Sequence, residues 1–331
     1  MKLRRPNAVV MLAIGTLVCA LAPLKATWLD TAVLTGIYAL ISLSAGLSFG
    51  QAGILSMAQG AFAAIGAYAT AILATRFGVS AWIGLGLALA LPSALAWGLA
   101  RMVTRMPELA TALATLALAT LIEIIARSWD GLTGGYVGIA GIPPIAGLEQ
   151  GWAFDILVWL CVLAAVVLYE NLVNSAHGRA LNIVRHDRTR AMADGVAVAP
   201  LLSAMLATSG AMAGAGGWLY AHYISYMSPG SLDTYGSISA LLMAVVGGAG
   251  YILGPVIGTF LLIMLGKLLP AQEAQGLFYG GALIVILVVA PEGLLGWIHR
   301  ILDRMAVRRR AASGVARAAD ERDARPAEAT P

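Results

Sequence analysis

Long apolar runs separated by short polar turns recur along this chain, each near the roughly 20 residues a helix needs to cross a hydrocarbon core about 30 Å thick. The first, Ala8 to Leu24, follows Lys2, Arg4 and Arg5; no small-residue cleavage site precedes Lys25 and Trp28, so it reads as a retained span rather than a leader. A second runs from about Leu29 to Leu47. The next stretch, Gly46 to Gly78, is rich in Gly, Ala and Ser and carries Gln51 and Gln59 inside apolar surroundings. Ala81 to Val103 follows, with Pro92 placed to kink it, then Arg101 and Arg105 at a turn, then Leu109 to Ala126. The loop Ser128 to Trp152 is polar, and Gly134, Gly135, Pro143 and Pro144 bar a continuous helix there. Asp155 to Tyr169 and Pro200 to Tyr220 cross again; Gly210 and Gly214 stand in small-xxx-small spacing, which carries little weight in so glycine-rich a chain. A second polar loop, His222 to Ser237, leads into Ile238 to Leu269, which is too long for one span and breaks between Gly247 and Pro255. Two shorter helices meeting at Gly247 to Gly254 are expected, then a last span from Gly276 to Ala290. The pattern predicts an all-α polytopic membrane protein with about ten transmembrane helices, some short or broken. Basic residues at alternate turns put the N and C termini in the cytoplasm. Residues 1–304 form the transmembrane domain. Residues 305–331, charged and Ala-rich with no apolar face, form a disordered cytoplasmic tail.

Composition agrees. Of 331 residues 60% are apolar and 11% charged, against about 25% charged in an ordinary soluble domain, and mean hydropathy is +0.83. The 38 glycines suit closely packed membrane helices. A net charge of +4 would admit a nucleic-acid partner only if the cations formed a face; here they sit in turns and at the termini, where they report orientation. Cys19 and Cys161 both fall in apolar spans and supply neither a disulfide framework nor a metal cluster. His177, His186, His222 and His299 have no metal-ligand spacing, and HExxH, CxxC and GxSxG are all missing. Lys267 follows Gly266 without the glycine spacing or the Ser/Thr of a phosphate loop, and reads as a lysine snorkelling from a helix end. Glu123 either faces a wet cavity or pairs with Arg127 near the headgroups, the pairing being the less expensive arrangement. No relay of intramembrane ionisable groups is visible, so energy for uphill transport would enter through another polypeptide.

Between two apolar runs lies a polar island, about Ser175 to Val198, carrying Arg179, Arg185, Arg188 and Arg190 with Asp187 and Asp194. Arg185 to Asp194 has helix-compatible composition, with Gly195 placed as its stop. It is either a solvated loop obeying the positive-inside rule or a short helix that a cytoplasmic partner grips. Gly46 to Gly78 is the first candidate for a translocation path, since broken backbone at membrane depth is tolerated where it lines a cavity; tight packing through small residues is the alternative.

Six blocks in order resemble the branched-chain amino acid permease family, in its LivM-like branch: GILSMAQGAFAAIGAYATAILATRFG from Gly53, WDGLTGGYVGIAGIP from Trp129, HGRALNIVRHDRTRAMADGV from His177, SGAMAGAGGWLYAHYISYMSP from Ser209, LLMAVVGGAGYILGPVIG from Leu241 and PEGLLG from Pro291. The likeness extends from about Thr31 to Gly296. It implies the membrane subunit of an ATP-binding-cassette importer in a bacterial inner membrane, with no ATPase site and no cofactor of its own. ATP would be bound by two partner ATPase subunits, beside a homologous second permease (LivH-like) and a solute-binding protein. The island would then hold a coupling helix that docks on the ATPase, at Arg185, Asp187, Ala191, Ala193 and Gly195. Path candidates are Gln51, Gln59, Ser239, Gly247 and Gly248. Two positions depart from the family pattern: Gln59 stands where a His is common, and Ser239 where an acidic residue is common. The implied solute is a branched-chain or similar apolar amino acid, with urea, amides or small carboxylates as alternatives in the same class. A stand-alone secondary carrier and an intramembrane enzyme are the competing classes; Gln51, Gln59 and Glu123 scarcely make a catalytic constellation.

Overall fold

The computed structural model describes residues 6–104, 106–149, 151–268, 281 and 293–300. Among them seven helices are long and apolar enough to cross a membrane: Pro6–Leu24, Thr27–Gln51, Gln59–Phe77, Ala81–Val103, Glu108–Ser128, Gly151–Asn174 and Val198–Ile224. Two shorter apolar helices, Thr234–Gly247 and Gly254–Lys267, follow. The expected span Gly276 to Ala290 and the tail 305–331 lie outside the described residues, save Gly281.

In chain order the helices are α1 (Pro6–Leu21), α2 (Ala26–Ala45), α3 (Gln59–Phe77), α4 (Ala81–Val103), α5 (Glu108–Ser128), the single turn α6 (Asp130–Thr133), α7 (Gly151–Asn174), α8 (Ala176–His186), α9 (Arg188–Ala193), α10 (Val198–Ile224), α11 (Thr234–Gly247) and α12 (Gly254–Leu268). The break inside Gly46 to Gly78 is visible. α2 runs on into a π-helical segment, Gly46–Gln51, after which the chain is irregular until α3 begins at Gln59. The second span is therefore longer than the sequence pattern suggested, because a π turn keeps backbone bonds going through two glycines, with the Ala52 N–H donating to the Leu47 carbonyl at 3.3 Å.

α10 is the central pillar, packed on α2, α3 and α4. Its glycines make those contacts possible, so the Gly210/Gly214 spacing discounted above is a packing device. A Cβ at Gly210 would stand 2.7 Å from the Pro92 carbonyl oxygen. Pro92 has no N–H to donate to the Ala88 carbonyl, and Gly214 lies directly against that carbonyl. On other faces Gly217 meets the Ala63 carbonyl of α3 and Gly216 meets Ile41 of α2. Trp218, fully buried, donates from Nε1 to the Ala81 carbonyl at 2.8 Å. α1 is tied in at its start, where the Asn7 and Ala8 N–H groups donate to the buried Glu170 carboxylate of α7 at 3.4 and 3.2 Å. A carboxylate there satisfies orphan donors and opposes the positive end of the helix dipole.

The bundle has two unlike ends. α7 delivers the chain to α8 and α9 at one end, where α10 starts and α4 finishes. At the other end the long loops form a platform: β1 (Ile139–Ala140) pairs antiparallel with β2 (Tyr226–Met227). Arg76 donates to the Gly131 and Leu132 carbonyls at 2.6 and 2.9 Å. His222, buried at the end of α10, joins that platform to α3 through Pro143 O at 2.8 Å and Thr70 Oγ1 at 2.9 Å.

Candidate functional site: the charged island and the broken second span

The island folds as two helices rather than the single one expected from Arg185 to Asp194. Ser175 caps α8 by accepting from the Gly178 N–H at 3.2 Å, and Leu181 and Val184 turn one face of it into the bundle. At Asp187 the backbone is extended (φ −154°, ψ 105°). An N-capping residue must leave helical geometry so that its side chain can reach the next N–H groups. Asp187 does so, accepting from Thr189 and Arg190 at 2.8 and 3.0 Å. α9 ends at Gly195 (φ 81°), a left-handed position that favours glycine.

The residues for which the resemblance implies docking point in different directions. Ala191 is fully buried within the chain. Ala193, Asp194 and Gly195 are exposed, as is Met192 beside them at 57%. Arg185 turns inward at its tip, where its guanidinium donates to the carbonyl of Gly50, the penultimate residue of the π segment. Tyr169 of α7, fully buried, donates its hydroxyl to the Gly46 carbonyl at the start of the same segment, at 3.0 Å. Arg188 donates to the Thr104 carbonyl at the end of α4, at 3.1 Å. The island is therefore bonded to the one irregular stretch of α2 and to the end of α4.

That stretch also meets the α11/α12 hairpin. Gln51 Nε2 donates to the Gly250 carbonyl at 3.3 Å, and Gly50 lies against the Ala249 carbonyl. Gly247 packs against the backbone of Gly254 and Gly258, an approach only glycines allow, while Gly248 (φ 109°) turns the chain. Gly293, which starts the helical residues 293–300, packs on Gly248 in turn.

Gln59 is fully buried at the start of α3 and joins three elements. Its Oε1 accepts from Ser44 at 2.9 Å and Ser209 at 3.3 Å, and its Nε2 donates to Ser48 at 3.1 Å. Ser239 of α11 is buried too, and among the described residues its hydroxyl has no partner. The serines of this knot and the Gly46 and Gly50 carbonyls escaped the sequence reading. Serine in a small-residue run signals packing as readily as hydrogen bonding, and a backbone carbonyl that accepts from a distant side chain leaves no mark on residue type. Glu123 forms the ion pair with Arg127 and accepts from the Thr234 N–H and hydroxyl at 3.2 and 2.9 Å, which fastens α5 to the start of α11. Among the described residues no three His, Cys, Asp or Glu side chains gather closely enough to hold a metal ion.

Against known proteins, the sequence profile of a family described as "Branched-chain amino acid transport system / permease component" matches residues 27–288. The high-affinity branched-chain amino acid transport system permease protein LivM of Escherichia coli (strain K12) is 29% identical over 294 residues, covering 80% of this chain and 69% of that one. The protein of the same description from Salmonella typhimurium aligns to the same extent, at 29% identity. A probable branched-chain amino acid transport permease protein LivM of Methanocaldococcus jannaschii is 23% identical over 312 residues, 78% of this chain and 90% of that one. No solved structure matches.

Proposed function

The chain belongs to the branched-chain amino acid transport permease family, and from that premise we propose that it is the membrane-spanning subunit of an ATP-binding-cassette importer for branched-chain or similar apolar amino acids. It takes about ten spans, with both termini in the cytoplasm of a bacterium and the membrane domain ending near residue 304. Arg101, Arg179, Arg185, Arg188 and Arg190 lie at the island end of the bundle, against Lys25, Arg76, Arg127 and Lys267 at the other, and the positive-inside rule supports reading the island end as cytoplasmic. The β1/β2 platform then faces outward, where a solute-binding protein delivers the solute. The partners are two ATPase subunits, which bind the ATP, and a second homologous permease.

The observation that carries the coupling is the bond from Arg185 to the Gly50 carbonyl. An island that was only a solvated loop would have no need to reach the backbone of a broken span. Partner ATPases closing on ATP would press on the exposed side of α9, at Ala193 to Gly195. Arg185, with Asp187 holding α9 in register, would pass that displacement to Gly46–Gln51. Gln51, Gly247 and Gly248 carry it to the α11/α12 hairpin, and Gln59 and Ser239 line the parts that rearrange. Binding energy for ATP then shifts the population between outward- and inward-facing states. Ala191 belongs to the lever's inner face, as its burial implies.

Arg185→Ala tests this in the assembled complex. A hydrogen bond from a charged donor is worth about 1.5–3 kcal/mol, so solute moved per ATP hydrolysed should fall at least roughly tenfold while the complex still assembles and hydrolyses ATP. Unchanged uptake per ATP would remove the Arg185 link from the mechanism.

A further inference from the structure

A cavity of about 570 Å³ opens between the end of α1, the start of α2 and the end of α12, at the bundle end opposite the island. Its size is within the range of small-molecule sites. Much of its wall is apolar, from Val18, Leu21, Phe260 and Met264. One side is polar. There the Lys267 ammonium donates to Thr31 Oγ1, and Thr35, 2% exposed, and Trp159, 5% exposed, also line the space. Among the described residues Thr35 Oγ1 has no hydrogen-bond partner, while the Asp155 carboxylate serves the Trp159 indole N–H. Buried polar groups of native proteins nearly always find a partner, so the Thr35 hydroxyl calls for an oxygen acceptor that the described chain does not supply.

Depth and charge narrow the occupant. Trp28 also lines the cavity, and the Lys25 ammonium stands 5.3 Å from its ring centroid. Amphipathic aromatics and lysines at helix ends mark the headgroup level of a bilayer. The described lining has one cation and no Asp or Glu. A zwitterion, whether an apolar amino acid or a lipid with an amine head, would leave its ammonium unpaired, whereas an anion with an apolar tail would not. We propose that this cavity is a binding site for one anionic phospholipid, its phosphate and ester oxygens held by Lys267 and Thr35 and an acyl chain lying between Leu21, Phe260 and Met264. The site goes beyond the transport reading, since it requires only that the chain sits in a bilayer.

The test is native mass spectrometry of the purified full chain, titrated separately with dioleoylphosphatidylglycerol and dioleoylphosphatidylcholine. A single lysine at an anionic headgroup is worth roughly fivefold in binding. The first bound lipid should therefore favour phosphatidylglycerol by about that factor, and Lys267→Gln should bring the two lipids level. Met264→Trp, which fills the apolar part, should weaken binding of the first phosphatidylglycerol even if Lys267→Gln fails to fold. Equal affinity for both lipids in the unaltered chain would overturn the proposal. So would a folded Lys267→Gln that keeps the preference, or a folded Met264→Trp that binds unchanged. Displacement of the lipid by millimolar inorganic phosphate would mean a phosphate site only, and displacement by leucine a solute site; either result also overturns it.

Discussion

Gly214 has no room for a side chain, because the Ala88 carbonyl left without a donor by Pro92 takes that space. A methyl added there must push α4 away from α10. Overpacking of this kind costs about 1–3 kcal/mol, so Gly214→Ala should lower the thermal unfolding midpoint in detergent. Gly86, on the exposed side of α4 with nothing within 4 Å, is the control. Replacing a helix-interior glycine by alanine stabilises by roughly 0.5–1 kcal/mol, and Gly86→Ala should leave the midpoint level or raised. A midpoint that falls equally in both would contradict the packing account. Gln59 makes a second residue-scale case. Its three serine partners can also bond to backbone carbonyls, as Ser44 does to Ile41 at 2.5 Å and Ser209 to Ser44 at 2.8 Å. Gln59→Leu should therefore cost only about 1 kcal/mol, while Gln59→Glu, which places an ionisable group where no cation bonds to the glutamine, should cost several times more. Thermal melts of the two variants check the order, and a leucine variant less stable than the glutamate one would contradict it.

The island is built from elements too short to stand alone, and each owes its position to a few bonds. α9 spans six residues; it persists because Asp187 caps it and Ala191 anchors it inside the chain. A bulky residue should therefore act differently at its two alanines. Ala191→Trp should disorder α9 and lower the yield of folded protein, whereas Ala193→Trp, on the exposed side, should leave folding intact and block uptake in the complex. Size-exclusion profiles paired with uptake measurements separate the two, and identical behaviour would contradict the inward and outward assignment. The long apolar helices were legible from residue type because hydrocarbon demands them. The glycine-proline hairpin between α11 and α12 was legible for the same reason, since few other residues break a span so sharply. What escaped were features carried by backbone geometry. The extended turn at Asp187 looked like one more charge in a helical run. The π segment Gly46–Gln51 looked like the end of a span, and the Gly210/Gly214 pair looked like chance until the partner helix was in view.

At the scale of the whole molecule, the helices run between a charged end and a loop-built end. From the island, Arg185 and Arg188 reach the backbone carbonyls of Gly50 and Thr104, and Tyr169 of α7 holds the Gly46 carbonyl of the same π segment. A carbonyl anchor moves only when its segment moves, which suits a device that passes on displacement rather than one that binds a driving ion. The family was legible as soon as six blocks were read in order; the placement of the path residues was not, since Gln59 and Ser239 differ in what holds them although both are polar residues in apolar runs. The proposed mechanism gives this chain no power source of its own. Its most direct test is uptake of radiolabelled leucine by proteoliposomes holding the chain alone and by proteoliposomes holding it with its second permease, ATPases and binding protein. The account predicts accumulation only in the complete assembly and only with ATP inside the compartment where the island projects. Accumulation against a gradient by the chain alone, under a proton or sodium gradient, would contradict it.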